Sequence, residues 1–177
     1  SRSFSATANG TNTANADTPV VGVGFVAITL SETLAYVRNP ADVTSTVGGN
    51  VTTGGDYTVT ATGNNSATVS TRIATVGFVA GTGTGLVAQI EATVQALTSG
   101  NVTKSSAGGV PATIRVEANG TNKANATSRS TSVGLVRVDK GSNNPEGSAG
   151  ALARITDTAD VRARVTGGTW NVAGAAI

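Results

Sequence analysis

Residues 8–27 read ANGTNTANADTPVVGVGFVA, residues 61–80 read ATGNNSATVSTRIATVGFVA, and residues 118–137 read ANGTNKANATSRSTSVGLVR. The three blocks align without a gap, at offsets of 53 (61 − 8) and 57 (118 − 61). The first and third share ANGTN and a later AN-A pattern; the first and second share VGFVA intact. A biased composition yields scattered Ala and Thr matches, not long gap-free blocks in a fixed order. The chain is therefore read as one β-rich domain of three divergent repeats, about 1–53, 54–110 and 111–177.

The match extends downstream. Leu34–Val37 aligns with Val87–Ile90 at 53, and Leu152–Ile155 follows at a further 65. Ala41-Asp42-Val43 recurs as Ala159-Asp160-Val161. The step from 57 to 65 puts eight extra residues near Asp139–Gly150, whose composition is that of a polar loop. A second loop is expected near Thr98–Pro111. Gly-Gly pairs at 48–49, 54–55, 108–109 and 167–168 read as turns.

Within each repeat the period is two. Tyr57–Ala61 (YTVTA) alternates, as does Ile114–Ala118 (IRVEA), and Val161–Val165 (VRARV) puts two arginines opposite three apolar residues. Such alternation predicts strands with one buried face. Ala88–Leu97 has some helical character, but its homologous positions read as strand, so strand is expected there. The fold class expected is all-β, a repeat-based β-solenoid or parallel β-helix. A repeat of 53 to 65 residues looks too long for one coil and is expected to hold two or three. An antiparallel β-sandwich would use the same strands without explaining the repeat. Asn9, Asn12, Asn15, Asn119, Asn122 and Asn125 suit either side-chain ladders or left-handed corners.

Composition narrows the chemistry. Hydrophobic residues are 38% of the 177, mostly Val and Ala, with only 3 Phe, 2 Tyr and 1 Trp, which suits thin stacked layers. Charged residues are 12%, against about 25% in an average domain. The net charge is +2 and the basic residues are scattered, so nucleic acid is not an expected partner. There is no Cys, Met or His. That removes disulfides, thiolates and the usual nucleophile–base pairs. A missing Met and the lack of a charged-then-apolar leader read as a processed product or a piece. The longest apolar stretch, Val20–Leu30, is far below the ~20 residues that span a bilayer, so no membrane insertion is expected.

Leu34–Val37 (LAYV), Thr53–Ala61 (TGGDYTVTA), the Ser/Thr/Ala-rich run Thr62–Thr71 and the Gly/Val run Ala74–Ala88 occur in that order. This order resembles the repeats of bacterial filamentous adhesins and related secreted haemagglutinin-like proteins. They chain "AY[VI]", "GGDVTV.A" and "VGVG..VA" elements many times over. The resemblance covers most of the chain. It implies a β-helical shaft, export to the cell surface, and a role as stalk, filament or adhesin. The third copy departs from the pattern through its charges and its insertion.

Candidate sites are few. Lys104 with Ser105–Ser106 is better read as a turn than as a Ser-Lys pair. Asp157 and Asp160 beside Arg154, Arg162 and Arg164 read as a solvated face with local ion pairs. The GTGTG run at 81–85 lacks the Lys and the helix of a phosphate loop. No calcium-binding repeat is present, and no cofactor or metal is expected. Six Asn-X-Ser/Thr sequons occur, at Asn9, Asn50, Asn64, Asn101, Asn119 and Asn125.

The expectation is a non-enzymatic, extracellular structural protein of a bacterial surface that associates with itself end to end. Residues 1–8 resemble a repeat fragment, and the sequence closes on the apolar Ala173–Ile177. The alternative is an adhesin module recognising glycan or a host protein, and more remotely a β-helical polysaccharide lyase or hydrolase. Any recognition surface is expected within 137–164 and its flank: Arg137, Lys140, Arg154, Arg162, Arg164 and Trp170.

Overall fold

In the computed structural model, residues 3–38, 41–104, 113–140, 150–156 and 159–171 are described. The chain winds as a parallel β-solenoid with one repeat per turn. The first coil runs β1 (Phe4–Val23), β2 (Val26–Val37), β3 (Val43–Val47) and β4 (Val51–Thr53). The second runs β5 (Tyr57–Val76), β6 (Val79–Ile90), β7 (Val94–Ser99) and β8 (Val102–Lys104). The third runs β9 (Ile114–Val133), β10 (Val136–Lys140), β11 (Gly150–Ile155), β12 (Val161–Thr166) and β13 (Trp170–Asn171).

Like strands of successive coils pair. The sheets are β1-β5-β9, β2-β6 with β10 and β11 both on β6, β3-β7-β12, and β4-β8-β13. Every pairing among the described strands is parallel, which excludes the antiparallel sandwich. Phe4 pairs Tyr57 and Tyr57 pairs Ile114, offsets of 53 and 57. The aligned blocks are thus stacked rows. The expected two or three coils per repeat is corrected to one. The first strand of each repeat is 20 residues long, so a single coil absorbs the whole period.

That length sets the shape. At ~3.3 Å per residue the long sheet is about 65 Å wide, while three strands at ~4.8 Å make it only about 10 Å tall. After the tip at Gly24-Phe25 the chain returns as β2 and β3, which face β1 across a thin interior. Thr33 Oγ1 donates to Thr18 Oγ1 at 2.9 Å, and Ser45 Oγ donates to the Ala6 carbonyl at 3.3 Å. Alternation puts every second residue of the long sheet inside. In the middle coil Val59, Ala61, Ala67 and Val69 are fully buried, because coils cover them on both sides.

Two apolar clusters fill the interior. One gathers Ala35, Val37, Ala67, Val69, Leu86, Ala88 and Ile90. The other gathers Val43, Val47, Tyr57, Val59, Ala61, Val94, Ala96 and Val102. Between them an asparagine ladder crosses the coils. Asn12 Nδ2 donates to Asn65 Oδ1 and Asn65 Nδ2 to Asn122 Oδ1, both at 2.8 Å. Asn12 Nδ2 also donates to the Ala41 carbonyl at the β2–β3 corner. The inward set is therefore Asn12, Asn65 and Asn122. Asn9, Asn15, Asn119 and Asn125 face solvent. Among the described residues, positive φ belongs to glycine alone, at Gly49, Gly100, Gly167 and Gly168. Ala88–Leu97 is strand at both ends, as expected.

The eight-residue excess of the third repeat falls between β10 and β11, since Lys140 pairs Gly83 and Gly150 pairs Gly85. Most of that loop, residues 105–112, Asp157 and Ala173–Ile177 lie outside the described residues.

The interior tolerates little volume. A Cβ on Gly63 would run into Cγ2 of the buried Val94, and the Gly10–Val43 and Gly120–Val161 rows repeat the fit. Gly63→Ala is expected to destabilise the fold by about 1–3 kcal/mol through overpacking. Adding Val94→Ala should recover at least ~1 kcal/mol of the summed loss, because the two changes share one space. Urea denaturation of the four-variant cycle measures this; strict additivity would contradict the fit.

Candidate interaction surface

Parity decides where each candidate side chain goes. Arg162 and Arg164 pair with Gln95 and Leu97 on the outward register of β12, and both are exposed. Arg154 pairs with Gln89 on the outward register of β11. Arg137 pairs with the buried Ala80 and so occupies an inward register, yet is exposed because no further coil covers it. Lys140 closes β10 opposite Gly83.

Trp170 stands apart. Its ring meets Tyr57 edge-on, centroids 5.8 Å apart at 70°, and packs against the Tyr57–Val94 cluster. Tyr57 in turn stacks on Phe4 at 5.2 Å. Trp170 Nε1 is buried with no hydrogen-bond partner among the described residues. Trp170 thus lies at the corner end of the long sheet and Arg137 just past the tip, roughly 65 Å away. The six candidates do not converge on one site.

Charge still collects in the third coil. From residue 114 onward there are eight Lys and Arg against five Asp and Glu, a net +3. Residues 1–53 carry two against three, a net −1. Two ion pairs form locally among the described residues of the third coil. Arg162 contacts the Asp160 carboxylate. Arg115 Nη2 lies 2.5 Å from Glu117 Oε2. The hydrogen bond from Arg115, seconded by Asn119, holds the Glu117 carboxyl below its ordinary range, and the same contact raises Arg115. Arg38 bridges to Glu91 on the next coil at 3.9 Å and lies 4.1 Å above the Tyr36 ring. Among the described residues no group of three or more His, Cys, Asp or Glu could hold a metal. Asp157 lies outside the described residues, and Asp160 is engaged by Arg162.

Two surfaces lie outside those six residues, and sequence reasoning missed the first. The first is the apolar tip, where Phe25 stacks on Phe78 at 5.0 Å and Leu135 continues the row. Phe25, Ile28, Leu30 and Leu135 are 66–80% exposed there. The VGFVA repeat was its signal in the sequence. The second is the pair of open coil edges. Among the described residues nothing pairs with the free side of β1 or of β9, and each offers a 20-residue strand edge. No helix is long and apolar enough to cross a membrane. All six sequon asparagines are exposed.

Trp170→Ala is expected to cost about 2 kcal/mol in denaturant unfolding, with Trp170→Phe retaining most of it, because the ring acts as core packing. Equal stability of Trp170→Ala and the parent would refute this. Arg115→Gln should raise the Glu117 titration midpoint followed by carboxyl NMR. The native pair favours the charged carboxylate, so its small contribution is present above the ordinary Glu range and fades as pH falls.

Comparison with known proteins finds no matching family model, no matching curated protein and no matching solved structure.

Proposed function

We propose that this chain is a structural segment of a bacterial-surface stalk or filament, acting outside the cell by stacking end to end rather than by catalysis. The observation that carries the reading is the stack of equivalent parallel coils, whose two outer 20-residue strands each have one edge without a partner among the described residues. Long flat edges with free N–H and C=O groups are templates for further pairing, which proteins normally block with short strands, charge or cover. Solenoid repeats gain stability from each neighbour they contact. The resemblance to filamentous adhesin repeats supports the same role and location.

The aromatic inventory weakens the glycan-binding alternative. Tyr57 is buried, Trp170 packs on it, and Tyr36 lies under Arg38. None of these three is left as an open stacking platform, and the exposed aromatics are the apolar Phe25 and Phe78 at the tip.

The test is association state. Light scattering across a wide concentration range, with negative-stain microscopy, should show concentration-dependent rods about 65 Å across that lengthen by ~14 Å per added chain. A chain that stays monomeric at the highest concentration would overturn the reading.

A further inference from the structure

We infer that the third coil is a polarised socket for the first coil of a second copy, docked in direct register with Asn122 over Asn12. This deepens the reading of the chain as a stacking segment and rests on it.

The ladders have direction. Each asparagine amide nitrogen donates to the oxygen one coil later, from Asn12 to Asn65 and from Asn65 to Asn122. Asn122 Nδ2 and Asn12 Oδ1 are the two ends of the chain of amides. Placing a second copy's first coil on the third coil lets Asn122 Nδ2 donate to that copy's Asn12 Oδ1, the same contact once more.

Four corner contacts share one pattern, in which a side-chain oxygen of one coil accepts a backbone N–H of the next, while the Asn101 N–H goes to the Gly49 carbonyl. Ser3 Oγ accepts from Asp56 N at 3.2 Å, and Asp56 Oδ1 from Thr113 N at 2.8 Å. Asp42 Oδ1 accepts from Thr93 N at 2.6 Å, and Asn101 Oδ1 from Thr169 N at 2.7 Å. The strand registers put Thr113, Asp160 and Thr169 at these three corners of the third coil. All three carry oxygen acceptors. Asp160 uses Oδ2 toward Arg162, leaving Oδ1, the atom that Asp42 uses. Ser3, Asp42 and Asn50 of the second copy would supply the N–H groups.

Packing and charge agree. Phe4, Ala6, Ala8 and Val51 on the first coil, and Ile114, Val116, Ala118 and Trp170 on the third, are only partly buried against the same core cluster. Docking in register covers each of these with its repeat equivalent. A third coil at +3 meets a first coil at −1, whereas two third coils would repel. Arg137 and Ser130 stand where Ala80 and Ile73 stand in the middle coil. The tip half therefore contributes less, and the junction centres on the corner half, where Ile114–Asn122 and Asp160–Trp170 lie.

The chain has no cysteine, so introduced thiols report alone. Thr11, Asn64 and Thr121 form one outward row beside the asparagine ladder. Adjacent strands are ~4.8 Å apart, within disulfide reach, while Thr11 and Thr121 of one chain are two strands apart at ~9.6 Å. Mild oxidation of T11C/T121C should give a reducible ladder of covalent oligomers. T11C and T121C alone should give almost none, and T11C/K123C, slipped by two residues, at least about tenfold less. Asn122→Asp keeps the acceptor for Asn65 and loses the donor, so it should weaken association about tenfold while unfolding stays cooperative. Dimers from either single variant, equal ladders from T11C/K123C, or rods without any cross-link would overturn the register. Absence of oligomers by light scattering would overturn the stacking reading itself.

Discussion

One constraint runs through the molecule: each interior side chain is stacked within ~4.8 Å of its equivalents in the neighbouring coils and faces a second layer about 10 Å away. A row must therefore hold residues of compatible width along the stack and across it. Ala8, Ala61 and Ala118 make one such row; Gly10, Gly63 and Gly120 make the next, opposite Val43, Val94 and Val161. The Ala- and Val-rich composition follows from this narrow gap. The one large buried ring, Tyr57, sits at the end of the sheet, where a corner rather than a facing strand closes the interior, and its hydroxyl reaches Thr98 Oγ1 at 2.5 Å.

Polar groups obey the same constraint. Inside a thin dry layer an amide needs partners, and a neighbour one coil away is always at hand. Hence asparagine stands on asparagine at 12, 65 and 122, and hydroxyls meet across the layers, as Thr75 Oγ1 meets Thr29 Oγ1 at 3.1 Å. The asparagine ladder separates the two apolar clusters, and nearer the tip, beyond Ala67 and Val69, the interior is lined largely by hydroxyls at Thr29, Thr33, Thr71, Thr75, Thr82 and Thr84.

Much of this was legible. Period-two runs gave strands, and gap-free blocks gave the rows that later pair, from Phe4 with Tyr57 to Ile155 with Ile90. The coil circumference was not legible. Alternation reports which face a residue takes, not how far a strand continues before it turns. The tip at Val23–Val26 is apolar and lacks the usual turn residues beyond Gly24, so nothing marked the end of a 20-residue strand. The six candidate residues lie apart for a related reason. Arg137 and Trp170 were grouped by closeness in sequence, but a coil this wide carries residues 33 apart (170 − 137) to opposite ends of the sheet.

The two halves of the third coil differ in a way that the constraint explains. Serines replace Thr71, Ile73 and Thr75 at 128, 130 and 132, and Arg137 takes the register of Ala80. An inward charge on an outer coil is a known means of blunting a strand edge. Yet the same coil retains the asparagine, the corner oxygens and the apolar Ile114, Val116 and Trp170 that a further coil would need. An edge blunted along its whole length would be a cap; an edge left open along its whole length would pair with any flat strand in any register. An edge open only where the ladder and corners impose a register admits a partner of its own kind. Specificity here comes from where the polar atoms lie along the edge, since the backbone groups of the edge are the same at every residue.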